Sequence, residues 1–252
     1  DGSIKKAQLN ILNQLKLKNL NFNFDIEKNI YSLEGMNTKF NDIEITSPLI
    51  NVKKNKNSFF VNGQFLNDKK NFDIDEFKHL FHDLFNNLGI KKVEFSSQNN
   101  FSFNIDKNLK FNNLKVASTI NLNQLILKKE YLKLNLYFPS FVEEIILEDH
   151  KIVVNYYKDK FDINGNGKIS LADKSDELSY EITKDDDNFL FDTKIKLKNN
   201  SLLIDFLDYE KKEGLNSLVS IKGNFKKNNK LEFDLIHLKE KNNQILIKGL
   251  DL

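Results

Sequence analysis

Apolar and polar residues alternate through nearly the whole of this chain, and that two-residue period constrains the fold more than any single motif does. Phe59, Val61, Gly63 and Phe65 fall on one side of a strand. In residues 160–172, Phe161, Ile163, Gly165, Gly167, Ile169 and Leu171 do the same, opposite Lys160, Asp162, Asn164, Asn166, Lys168 and Ser170. A strand of this kind has one face to bury and one to wet. Polar clusters such as NDKK and KKNKN separate such runs and read as turns. Well over a dozen strand candidates joined by short turns predict hairpins, hence an antiparallel sheet. A parallel α/β fold would need a helix for each crossover, and the sequence offers one good helix.

In places the alternation slips. Leu15 and Leu17 share one phase, whereas Leu20, Phe22, Phe24 and Ile26 take the other, which predicts a bulge or bend near Lys18 and Asn19. Leu125 and Leu127 likewise break phase with Ile120 and Leu122. Other strands are predicted at Tyr31 to Gly35, Lys39 to Thr46 and Leu49 to Lys53. Further on, Leu132, Leu134, Leu136 and Phe138 form a run ending at Pro139, and Leu202, Ile204 and Phe206 form another before a loop at Lys211 to Gly214. Between Ile4 and Leu12 the pattern fits a short helix or a strand equally well.

One segment has a helical period. In residues 72–89, Ile74, Phe77, Leu80, Phe81, Leu84, Phe85 and Leu88 line one face, Asp73 or Asp75 can cap the start, and Gly89 can end the helix. An amphipathic helix in an all-β chain must lay that face on a sheet or across the open end of one.

Composition excludes several functions. The 38 basic and 36 acidic residues nearly cancel, so no general nucleic-acid surface is expected. Cysteine is absent, which removes disulfides, thiolate catalysis and cysteine-bound zinc. No apolar run approaches the roughly 18 residues of a membrane-spanning helix, and no signal peptide is visible. Starting at Asp1 and ending on a strand-like ILIKGLDL, the sequence reads as a segment of a longer protein.

Motifs for chemistry are weak. Asp162, Asn164, Asn166, Lys168, Ser170 and Asp173, with Gly167, match the spacing of a calcium loop. Position twelve holds an aspartate in place of the usual glutamate, and the flanks lack the required helices, so the strand reading is preferred and glycines on its apolar side mark a close approach. His79 and His82 have metal-compatible spacing on the predicted helix but no further ligands, while His150 and His237 are isolated. Glu143 with Glu144 and the acidic run from Asp185 to Asp187 read as solvated turns. The 22 phenylalanines alternate among leucine and isoleucine, which makes them core or groove lining and not base-stacking platforms.

The cadence FDINGNGKISL, LSYEI, SIKGNF and a closing NQILIKGLDL resembles the AsmA-like superfamily, in particular the YhdP- and TamB-type periplasmic proteins of Gram-negative bacteria, over about residues 109–252. The resemblance implies a long, strongly curved antiparallel sheet forming a trough, with the amphipathic helix at about 74–88 on or in its apolar face. It implies a non-enzymatic bridge between inner and outer membranes that passes phospholipid acyl chains, without a cofactor, in a protein anchored to the inner membrane through parts outside this segment. It casts Phe161, Ile163, Ile169, Leu171, Phe189, Phe191, Ile195, Val219, Ile221 and Phe225 as groove lining, and Gly165, Gly167 and Gly223 as glycines that permit curvature. The helix residues Phe77, Leu80, Phe81, Leu84, Phe85 and Leu88 become a possible plug. The chain is taken as one such segment, residues 1–252. The competing expectation is a closed β-sandwich or barrel with a protein-filled core, serving envelope assembly or interaction.

Overall fold

The structure, a computed structural model, describes residues 1–11, 15–40, 43–68, 89–128, 134–141, 144–171, 174–185, 188–226 and 230–251. Among these, fourteen strands form one sheet and two more form a small hairpin. The first seven strands are β1 (Gly2–Ile11), β2 (Leu15–Glu27), β3 (Ile30–Phe40), β4 (Ile43–Lys54), β5 (Ser58–Asn67), β6 (Ile90–Asp106) and β7 (Phe111–Lys128). The large sheet continues with β8 (Glu144–Tyr157), β9 (Lys160–Ser170), β10 (Ser175–Asp185) and β11 (Asn188–Leu197). The short β12 (Leu202–Ile204) and β13 (Tyr209–Lys211) leave it, and β14 (Ser217–Phe225), β15 (Leu231–Glu240) and β16 (Asn243–Asp251) complete it. Each strand pairs antiparallel with its neighbours in sequence, apart from the β12–β13 excursion. β1 and β16 are each paired on one side only, so the sheet is open and does not close into a barrel. Residues 4–11, which fitted helix or strand, are strand.

Turn chemistry accounts for the hairpins. Lys158 and Asp159, both with positive φ, make the two-residue link from β8 to β9, the geometry that matches strand twist. Asp106 Oδ1 accepts from the backbone N–H groups of Asn108 and Lys110 at 2.8 and 3.0 Å, closing the β6–β7 turn.

Bulges account for the slips in phase. Asn19 takes a φ of 54°, and the β2–β3 register shifts between Lys18 and Asn21, where the sequence predicted a bulge. In β7, Gln124 pairs Glu94 while Leu122 pairs Phe95, which leaves Asn123 as the extra residue that resets Leu125 and Leu127. Asp149, with a φ of 54°, does the same in β8. Strands that the sequence pattern divides are therefore continuous, β3, β4, β7 and β8 each running through a reset, whereas the predicted strand Lys39 to Thr46 is the end of β3 and the start of β4, paired antiparallel through Lys39 and Glu44.

Two predicted strands are shorter or absent. Leu134–Leu136 is a turn of 3-10 helix, with Tyr137 N–H and Phe138 N–H donating to the Leu134 carbonyl. The run at Leu202 stops at Ile204, and Asp205–Leu207 forms a second 3-10 turn closed by Asp208 in the left-handed conformation. Phe138 after the first turn and Ile204 before the second pack on the large sheet, whereas Leu136, Phe206 and Leu207 in the turns themselves are exposed. The predicted helix at 74–88, with His79 and His82, lies outside the described residues.

Candidate functional site

Register carries apolar side chains across the sheet in continuous rows. One row runs Gly2, Phe24, Leu33, Ile50, Gly63, Phe101 and Val116 through β1 to β7. It continues as Tyr156, Phe161, Lys184, Phe189, Phe225 and Leu231 through β8 to β11, β14 and β15. Thirteen strands thus contribute, and the one charged member, Lys184, places its ammonium 5.7 Å from the centre of the Phe189 ring. Because successive strands are about 4.8 Å apart, the row extends on the order of 60 Å.

All ten residues cast as groove lining have the phase of this face. Phe161, Phe189 and Phe225 are in the row above. Ile163 pairs Ile182, which pairs Phe191, and Phe191 pairs Gly223. Ile195 pairs Val219, and Ile221 pairs Thr193. Ile169 pairs Asp176, and Leu171 sits just past the end of β9. Leu171 is buried, Phe225 is 39% exposed, and the others are half-buried. Half-burial is what lateral packing on an uncovered sheet provides: Phe65 and Phe101 stack at 4.6 Å, and Phe161 and Phe189 meet at 5.5 Å, yet nothing lies over their outer surfaces among the described residues.

At one end the same face is covered. Leu197 and Leu238 are only 1% and 5% exposed, beneath Leu202, Ile204 and Tyr209 of the β12–β13 region and Phe138 of residues 134–141. These two connections join where Leu203 N–H donates to the Tyr137 carbonyl at 2.8 Å. A polar knot fixes the cap to the sheet. Buried Asp176 accepts from the N–H groups of Lys198, Asn199 and Asn200 at 2.8 to 3.1 Å, and from the Asn200 amide at 2.8 Å. Fully buried Lys211 donates to the carbonyls of Asn200 and Lys198 at 2.5 and 3.1 Å. Desolvation lowers the Lys211 pKa, opposed by attraction to Asp176, Glu240 and Glu213.

The glycines of this face have rings lying over them. A Cβ at Gly165 would come within 2.2 Å of the Tyr180 ring, one at Gly167 within 2.3 Å of the His150 ring, and one at Gly223 within 2.8 Å of Phe191 and 2.1 Å of the Glu232 carbonyl oxygen. Gly2 and Gly63 stand in the same relation to Phe24 and Phe101. Glycine therefore leaves a hollow that an aromatic side chain from the next strand fills, which levels the apolar face. His150 Nε2 donates to the Lys168 carbonyl at 2.9 Å, and burial lowers its pKa.

The sequence pattern did not reveal the polar-face clefts. One of about 1000 Å³ crosses β4 to β9 between Asn51, Asn62, Asn100, Lys115, Tyr157 and Asp162. Most of its lining residues alternate with the apolar row, whose Gly63, Phe101, Val116 and Tyr156 also border it, and so read as ordinary wet-face residues. The calcium-like residues Asp162, Asn164, Asn166 and Lys168 are spread along extended β9, and Asp173 lies outside the described residues. Among the described residues no three histidine or acidic side chains cluster to hold a metal, and no helix is long and apolar enough to cross a membrane. The chain matches no known protein family, no curated protein and no solved structure.

Proposed function

We propose that this chain is a non-enzymatic lipid-binding segment whose apolar sheet face carries phospholipid acyl chains, as part of a periplasmic bridge of the AsmA-like kind between inner and outer membranes. The observation that carries the reading is the row spanning thirteen strands of an open sheet, apolar but for Lys184, and mostly half-buried where no cap reaches among the described residues. Such a face needs an apolar cover, and an acyl chain supplies about 0.8 kcal/mol for each CH₂ it buries. A chain leaving a bilayer exchanges one apolar surrounding for another, so the transfer is nearly balanced and reversible. Apolar rings and branched side chains along the row hold a chain at any point, which suits movement along it better than selection of one ligand.

Native mass spectrometry of the chain purified from a phospholipid-containing host tests this. The expected result is co-purified phospholipid that is released on unfolding. A lipid-free chain that also fails to take up phospholipid from vesicles would remove the proposal.

A further inference from the structure

The polar face at the capped end has a second feature, independent of the lipid reading because it lies on the opposite side of the sheet. Lys196, Lys198, Lys239 and Lys241 line one cleft of about 400 Å³, together with Asn216 and Leu218. Register explains the convergence. Lys196 pairs Leu218 and Leu218 pairs Lys239, so the two lysines flank Leu218 from either side, about 10 Å apart at the backbone. Lys198 sits just past the end of β11, and Lys241 sits in the β15–β16 turn with a φ of 46°.

No acidic residue lines the cleft. Glu177, the nearest carboxylate by register, binds Lys196 at 2.6 Å from the far side. Glu240 points to the other face, where it accepts from the Tyr209 hydroxyl at 2.8 Å, and Glu213 is held by Lys174. With Lys196 held by Glu177, the cleft keeps Lys198, Lys239 and Lys241 as cations with no carboxylate in its lining, and each brings donors that can rotate onto phosphate oxygens. The apolar floor at Leu218 and the amide of Asn216 shape a space for one compact group.

We propose that this cleft binds phosphate-bearing anions, free in solution or as a phospholipid headgroup. The test uses the full chain, with inorganic pyrophosphate followed by titration calorimetry and vesicles of phosphatidylcholine with or without phosphatidylglycerol followed by co-sedimentation. Lys239→Gln/Lys241→Gln is compared with Lys5→Gln/Lys6→Gln, which removes the same charge from exposed positions of β1. Saturable binding that falls about tenfold or more in the first variant and not in the second is the expected outcome. Pyrophosphate binding alone assigns a soluble ligand, and binding only to the phosphatidylglycerol vesicles assigns a headgroup. Binding of neither probe, or equal loss in both variants, overturns the proposal and leaves the apolar-face reading untouched.

Discussion

At the scale of single residues, the apolar face depends on glycines paired with rings. Gly165 has an extended backbone, so its value is the missing Cβ and not conformational freedom. Gly165→Ala forces the Tyr180 ring out of its seat and is predicted to cost about 1–3 kcal/mol, read from urea unfolding. In a Tyr180→Ala background the same change should cost much less, because the ring it displaces is gone. The sequence shows that these glycines share the apolar phase and that something approaches them. It does not show what approaches, since the ring comes from another strand and its position follows from register. His150 yields a pH prediction. Burial holds its pKa below 6.5, so the unfolded chain takes up the proton first as pH falls. Its contribution to stability is therefore complete above about pH 6.5 and lost below it, and His150→Phe should flatten that part of a stability profile measured by denaturant unfolding.

At the scale of elements, alternation identified strands well and their ends poorly. A bulge changes which parity faces inward without ending the strand, so Asn123 makes β7 look like two strands, and Asp149 shifts the phase of β8 in the same way. The reverse error occurs at Leu134–Leu136 and Asp205–Leu207, where alternating leucine and phenylalanine fit a strand but the chain makes turns of 3-10 helix instead. Their neighbours Phe138 and Ile204 pack into the cap, while Leu136, Phe206 and Leu207 are exposed. Nothing local in the sequence announces that Asp176 and Lys211 meet the same loop, because 35 positions separate them. Asp176→Ala removes the acceptor for three backbone N–H groups and leaves the Lys211 cation buried without its neighbouring charge. A loss of about 3–5 kcal/mol is expected, with hydrogen exchange rising first in residues 198–211. Unchanged protection there would mean that the cap does not depend on this knot.

At the scale of the whole molecule, fourteen strands in one open sheet set the problem that function must solve. Sheets of this width twist and coil, with about 20–25° between neighbours, so the apolar face turns through roughly a full circle along its length. Within each strand the lining positions were readable as one face from their parity, whereas the lack of a second layer over most of that face among the described residues was not, because alternation is the same under protein or lipid. Ile163 and Asn164 separate the two sides in the middle of β9: one packs among the apolar rows, and the other lines a polar-face cleft. Placing a benzophenone amino acid at each position in turn, and irradiating the chain in its phospholipid-containing host, measures the central claim directly. Lipid adducts at position 163 with few or none at 164 are predicted. Equal labelling at both positions, or none at 163, would contradict it.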